Sequence, residues 1–277
     1  MLSVAAVTGL TGFLGRHLLP SLLAEYKYVI NYSRGGRYTL YTANGAAPHS
    51  GDSSTVHKNY PPNVFYNLAT YYNSTPKNLS EMMAITEANI IFPLNILNVI
   101  DNPNLRIVNL CSYLQLQNKK LDNPYELSKE YFKVTMQRTS QDVSNVFLFD
   151  TFGKNDTRNK VVDVFIQRIL SGNPIVIPNN KILINLSDAT DVCASLAPLQ
   201  RIPLADSCIR SPFTTSLFDL AKKLMELLHK KVEIISNGEK CCHYSNCEKL
   251  PVNIFKSANN EDISEQLLRR AHDIRSP

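Results

Sequence analysis

Apolar and polar positions along the first two-thirds of the chain switch repeatedly between strand and helix periods. Residues 3–7 form a short apolar run of strand length, and residues 13–25 place Leu14, Leu18, Leu19, Leu22 and Leu23 at helical spacing, with Pro20 the one ill-suited residue. The same reading predicts strands over 28–32, 64–68, 106–111 and 145–150, and helices over 80–100 and 124–138. Residues 34–62, rich in Gly, Ser, Thr, Asn and Tyr, are less regular and leave room for short polar strands. Beyond residue 150 the rhythm loosens into helices over 161–170, 189–199, 215–228 and 261–272 with a strand over 174–177. Strands alternating with helices predict an α/β fold, a doubly wound parallel sheet with helices on both faces. Residues 1–155, with 182–205 returning to them, are the expected sheet domain. Residues 156–181 and 206–277 are the expected smaller C-terminal lobe, lying over the carboxyl edge of the sheet where such folds bind ligands. No internal repeat is present.

The first strand runs into Thr8-Gly9-Leu10-Thr11-Gly12-Phe13-Leu14-Gly15 and then a helix. This strand, glycine turn and helix form the dinucleotide-binding arrangement of a Rossmann domain. Gly9 permits the sharp turn, Gly12 lets the backbone approach a pyrophosphate at the helix N-terminus, and Gly15 lets helix and strand pack closely. Gly9, Thr11, Gly12, Phe13, Leu14 and Gly15 are therefore the expected cofactor contacts of the turn. The second strand ends in Asn31-Tyr32-Ser33-Arg34, with no acidic residue to bind a ribose 2′-hydroxyl. Arg34, helped by Ser33, is instead placed to meet a 2′-phosphate, which makes NADP(H) the expected cofactor rather than NAD.

Tyr125 and Lys129 lie four residues apart at the start of the helix after Asn123-Pro124, so they share one face. A lysine ammonium near a phenol is expected to lower the tyrosine pKa, and the same lysine suits the nicotinamide ribose. Ser112, at the carboxyl end of the preceding strand, is the third expected member, orienting a substrate oxygen beside Tyr125. Its neighbour Cys111 reads as a small buried residue rather than a nucleophile.

Together these residues resemble the extended short-chain dehydrogenase/reductases, the nucleotide-sugar epimerase, dehydratase and reductase family, over nearly the whole chain. Asn67-Leu68-Ala69-Thr70 is similar to the family's cofactor-lining stretch after the fourth strand, so the resemblance adds Asn67, Leu68 and Ala69 to the expected cofactor contacts. Asn89 and the residues after it resemble the helix that follows. Residues 150–156 are similar to the family's asparagine-x-tyrosine-glycine-proline loop, with Phe152 and Lys154 as departures. Asp191-Val192 matches the pair that seats the second lobe. Tyr113-Leu114 stand where the 4,6-dehydratases carry Asp-Glu, which argues against dehydration. The short gap from Ser112 to Tyr125 is like that of the nucleotide-sugar 4-ketoreductases such as abequose and paratose synthases. The family's usual second-lobe arginine is missing near residues 184–188, leaving Arg158, Lys160, Arg168 and Lys181 as candidates for the substrate diphosphate. The resemblance implies NADPH-dependent reduction of a nucleotide-linked 4-keto-6-deoxy sugar at C4, in deoxysugar synthesis for surface polysaccharide such as the lipopolysaccharide O-antigen. A 4-epimerase with bound NAD and a non-catalytic NADP-sensing module are the alternatives. It also implies a homodimer through the helices at 80–100 and 124–138.

Composition changes this picture little. The net charge of +5 comes without any Lys/Arg-rich block. Lys222, Lys223, Lys230 and Lys231 read as a solvated helix face, so no nucleic-acid partner is expected. The apolar start is interrupted by glycines and no other run is long and clean enough to span a bilayer, so no membrane partner is expected. The six scattered cysteines suit a reducing compartment and a cytoplasmic location. Cys241-Cys242-His243 with Cys247 lacks a second pair at finger-like spacing, and reads as a polar loop rather than a zinc site. No metal is expected.

Overall fold

The computed structural model describes residues 2–45, 48–73, 75–100, 102–117, 121, 123–139, 142–199, 202–238 and 251–275. Cys241, Cys242, His243 and Cys247 lie outside the described residues. In chain order the sheet domain opens with β1 (Leu2–Thr8), α1 (Phe13–Glu25), β2 (Tyr26–Ser33), β3 (Arg37–Thr42), β4 (His49–Asp52) and α2 (Ser53–Asn59). It continues with β5 (Val64–Asn67), α3 (Leu79–Thr86), a π turn (Glu87–Ile91), α4 (Phe92–Ile100), β6 (Arg106–Ser112), α5 (Leu114–Gln117), α6 (Pro124–Thr139) and β7 (Val143–Leu148). Next come β8 (Asp150–Phe152), α7 (Val161–Ser171), β9 (Ile175–Ile177), β10 (Leu183–Asp188) and α8 (Ala189–Leu196). The chain finishes with β11 (Ser207–Ile209), β12 (Thr214–Ser216), α9 (Leu217–Leu228), β13 (Ile234–Ser236), β14 (Val252–Asn253) and α10 (Ile263–Arg275).

Among the described residues the main sheet has nine strands in the order β14-β11-β7-β6-β5-β1-β2-β3-β4. From β2 through β7 every pairing is parallel, as the strand and helix alternation predicts; β11 and β14, from the stretch expected in the smaller lobe, instead extend this sheet beyond β7, also in parallel. The far edge departs from the expected parallel sheet: β2, β3 and β4 form an antiparallel meander. After β2 the chain turns back on itself through Gly35 and Gly36 into two polar strands, and the short helix α2 then leads into β5. Two helices also come out shorter than their patterns. The apolar stretch from 189 stays helical only to Leu196, and Thr215-Ser216 pair as a strand before α9 begins.

The sheet is buried on both sides. Ala5, Val7, Val29, Val108 and Val146 pack with Leu18, Leu22 and Leu196 of α1 and α8. Ala6, Ile30, Phe65 and Ile107 pack with Phe92, Ile96, Phe132 and Met136 of α4 and α6. A separate cluster joins Phe165, Ile166 and Ile169 of α7 to Leu220 and Leu224 of α9 and Leu267 of α10. Asp191 ties this cluster's last helix to α8, accepting from Gln266 Nε2 at 2.8 Å and from the Ala258 amide at 2.7 Å. Arg270 makes a paired contact with the Asp163 carboxylate at 2.7 and 2.9 Å, both side chains being buried.

Candidate active site

The glycine turn leaves β1 with Gly9 at φ +82°, and a Cβ there would come within 2.8 Å of the Ala69 amide nitrogen. Gly15 has no room for a side chain at all, because a Cβ would strike the backbone of Gly9 and Leu10. Both positions thus require glycine for the reasons the sequence suggests. Gly12 is the N-cap of α1; no side chain caps the helix and no acidic residue sits in its first turn. A helix start left open in this way fits the pyrophosphate of a dinucleotide. Asn31, overlooked in the sequence, fixes the turn to β2: its Oδ1 accepts from the Leu10 amide at 3.2 Å and its Nδ2 donates to Ser33 Oγ at 3.3 Å. Arg34 follows in the exposed hairpin turn between β2 and β3, at the carboxyl end of β2.

Asn67, Leu68 and Ala69 sit against the same turn. The Ala69 amide donates to Thr8 Oγ1 at 3.2 Å, and Thr8 in turn donates to Asn67 Oδ1 at 2.9 Å. The Asn67 side chain therefore points along the sheet, into a row of buried amides, and the backbone of the following residues borders the turn.

Tyr125 meets Ser112, while Lys129, one helical turn further along α6, reaches the carbonyl of Leu110 on the strand that ends in Ser112. The Tyr125 phenol is buried at 8% exposure at the start of α6 and hydrogen-bonds the hydroxyls of Thr70 and Ser112. Burial pushes this phenol up to about 12, with the two hydroxyls working in the opposite direction. The expected lowering of Tyr125 by Lys129 is therefore corrected: burial raises the phenol, and the hydroxyls of Thr70 and Ser112 are what oppose it. Lys129 Nζ donates to the Leu110 carbonyl at 3.1 Å, and burial lowers its pKa to about 8. Cys111 is fully inside, its thiol pushed up to about 12 by burial, in agreement with a non-nucleophilic role.

The sequence singles out Asn89 without its contacts and does not single out Tyr72. Asn89 lies in the π turn, where one extra residue per turn carries its side chain inward. Its Oδ1 accepts from the Tyr71 amide at 2.7 Å and from Thr70 Oγ1 at 3.2 Å, and its Nδ2 donates to Ser128 Oγ at 2.9 Å. Asn89 thereby fixes the Thr70 segment against α6. The Tyr72 ring meets Tyr125 edge-on with centroids 4.8 Å apart, and Lys160 Nζ lies 4.3 Å from the Tyr72 centroid. Of the four basic residues considered for a substrate anion, Lys160 is thus stacked on the ring that meets Tyr125. Arg158 is held by the Asp156 carboxylate at 2.7 Å and lies over the Phe13 ring, whereas Arg168 and Lys181 are exposed. The only available warning of Tyr72 was its place just after Asn67-Leu68-Ala69-Thr70.

Residues 5–193 match the family described as NAD dependent epimerase/dehydratase. A CDP-abequose synthase of Yersinia pseudotuberculosis is 26% identical over 207 residues, covering 69% of this chain and 70% of that protein. RMD of Pseudomonas aeruginosa, solved with NADPH, superposes with a TM-score of 0.72 at 16% identity over 99% of both chains. A UDP-glucuronic acid 4-epimerase of Bacillus cereus, solved with UDP-glucuronic acid and NAD, gives a TM-score of 0.73 at 16% identity, over 98% of this chain and 99% of that one. At such identities the two structural likenesses establish the fold alone.

Proposed function

Because this chain belongs to the NAD dependent epimerase/dehydratase family, the extended short-chain dehydrogenase/reductases, we propose that it reduces a nucleotide-linked 4-keto-6-deoxy sugar at C4 using NADPH. The observation that carries this reading is the buried Tyr125 phenol. Held at about 12, it is protonated at neutral pH and is set to give a proton rather than to take one. An alkoxide forming at C4 is the stronger base, so the proton moves from Tyr125 Oη to the sugar oxygen. Ser112 and Thr70 hold that phenol in place through their hydroxyls. Lys129, charged below about pH 8, lies one helical turn from Tyr125 and is the residue to hold the nicotinamide ribose. The Gly9–Gly15 turn would hold the pyrophosphate, with the backbone of residues 67–69 beside it. Bound there, NADPH would supply a hydride equivalent. Arg34 supports the choice of NADPH over NAD, since its guanidinium suits a 2′-phosphate and no carboxylate follows β2 to bind a 2′-hydroxyl.

Lys160 is our candidate for the substrate diphosphate. It is the N-cap residue of α7 and lies over Tyr72, which touches Tyr125, so an anion beside the ammonium is also beside the site. The lobe built on α7, α9 and α10 is then the nucleotide-sugar lobe. The likeness to a CDP-abequose synthase supports a CDP-linked substrate as the first choice to test.

We also assign dimerisation to the long helix and α6. Leu79–Ile100 is a 22-residue, largely apolar helical stretch, less than half of which is buried inside the chain. Met83, Ile91, Leu127 and Tyr131 are exposed on these two helices. Asn89 ties the helix to Ser128 of α6, so its uncovered side suits a second copy of the chain better than lipid. Leu127→Glu should yield monomers by light scattering, and an unchanged dimer would remove this assignment.

The test of function is NADPH consumption with CDP-, GDP- and dTDP-linked 4-keto-6-deoxy sugars. The reading expects stoichiometric loss of NADPH with one of them. Cofactor retained through purification, together with sugar isomerisation and no net consumption, establishes the 4-epimerase instead.

A further inference from the structure

We infer that Gln115 is a positioning residue for the active site, setting the distance between Ser112 and the helix that carries Tyr125 and Lys129; its turnover test rests on the reductase reading. β6 ends at Ser112 and the chain leaves the sheet into α5. The Ser112 amide donates to Gln115 Oε1 at 2.9 Å. The other end of the same side chain crosses to α6, where Gln115 Nε2 donates to Glu130 Oε2 at 2.8 Å. Glu130 immediately follows Lys129, so one nearly buried amide joins the backbone of one catalytic residue to the helix bearing the other two.

Glu130 is itself fixed. Lys133 Nζ donates to its Oε1 at 3.1 Å and lies 3.7 Å from Asp206 Oδ2. Asp206 Oδ1 accepts from Asn145 Nδ2 at 3.0 Å, Asn145 Oδ1 from Asn109 Nδ2 at 3.0 Å, and Asn109 Oδ1 from Asn67 Nδ2 at 3.2 Å. The row ends where the Thr8 hydroxyl donates to Asn67, one residue before Gly9. All the donors in this row point one way, from the glycine turn to the Asp206 carboxylate, across four strands held in register. Such a chain leaves each amide a single orientation, since a flip would set donor against donor. Gln115 is the link through which this rigid row reaches the Ser112 end of β6.

A side chain that merely fills space would tolerate an apolar replacement of equal length. One that sets catalytic geometry would lower kcat and leave cofactor binding alone, because the glycine turn does not depend on it. The polarity of the link gives a sharper test. Gln115→Glu still accepts from the Ser112 amide but faces Glu130 with a second carboxylate. Adding Glu130→Gln restores a donor, so that the amide of residue 130 now gives its hydrogen to the carboxylate of residue 115.

The experiment compares Gln115→Met, Gln115→Glu, Glu130→Gln and the double exchange for kcat, for KM of NADPH, and for hydrogen exchange at the Ser112 amide by NMR. Gln115→Met and Gln115→Glu should lower kcat by about tenfold to a hundredfold with KM for NADPH unchanged. The double exchange should recover most of the wild-type kcat, and exchange at Ser112 should be faster in Gln115→Met alone. Wild-type kcat in Gln115→Met, or a folded double exchange no better than Gln115→Glu, overturns the inference. If Gln115→Met does not fold, the exchange pair decides alone. If the wild type turns over no keto sugar, the function reading falls by itself, and unaltered exchange at Ser112 in Gln115→Met still refutes the link.

Discussion

Replacing Lys129 with methionine should make the protein more stable and abolish its activity, because the site holds a charge that the fold would rather not bury. Lys129 is 4% exposed and its pKa is lowered from 10.5 to about 8, chiefly by burial. That drop corresponds to about 3 kcal/mol of destabilisation at neutral pH, at roughly 1.4 kcal/mol per unit. Losing the bond to the Leu110 carbonyl takes back about 1 kcal/mol. Methionine fills nearly the same volume without a charge, so the variant should gain about 2 kcal/mol, or about 4 °C in Tm for a chain of this size. The sign can be followed with pH. Between about 8 and 10.5 the unfolded chain holds a proton on this lysine that the folded chain has released, so wild-type stability rises with pH across that window. The advantage of Lys129→Met is therefore complete below about pH 8 and gone by 10.5. Paired thermal melts of the two proteins across this range, read as the difference between them, measure it. A variant no more stable than wild type at pH 7, or a difference that does not shrink as pH rises, refutes the reasoning.

Two other substitutions probe the cofactor edge and the lobe. Arg34→Ala should weaken NADPH binding by about tenfold to a hundredfold and leave NADH binding unchanged, the loss of one charge-assisted contact to a phosphate; equal losses for both cofactors in a fluorescence titration would place the 2′-phosphate elsewhere. Arg270→Met leaves Asp163 buried without its partner and should cost about 3–5 kcal/mol in denaturant unfolding, with much of it recovered by adding Asp163→Leu.

The parts of this account legible in the sequence are those carried by local chemistry. Gly9, Gly12 and Gly15 mark the turn because two of them have backbone where a side chain would be. The four-residue step from Tyr125 to Lys129 marks a shared helix face. The bounds of α1 and α7 are nearly those of their hydrophobic periods. What stayed hidden depends on contacts between distant segments. The long helix reads as one regular element, yet the π turn at Glu87–Ile91 exists together with Asn89's bonds to Thr70, Tyr71 and Ser128. The antiparallel meander at the sheet edge is built from strands as polar as His49-Ser50-Gly51-Asp52, which show no apolar alternation. Gln115, Glu130, Lys133 and Asp206 look like ordinary surface residues in the sequence, and become a linked set only when β6, α6 and the segment before β11 are brought side by side. The raised pKa of Tyr125 belongs to the same class, since burial is a property of the whole fold.

A single-turnover reaction with NADPH carrying deuterium at the transferable C4 position tests the central claim most directly. With a nucleotide-linked 4-keto-6-deoxy sugar, the account predicts one deuterium at C4 of the product sugar for each NADPH consumed, and a rate about 10²- to 10⁴-fold lower in Tyr125→Phe. A product without deuterium at C4 formed with no consumption of NADPH, or an undiminished rate in Tyr125→Phe, would contradict it.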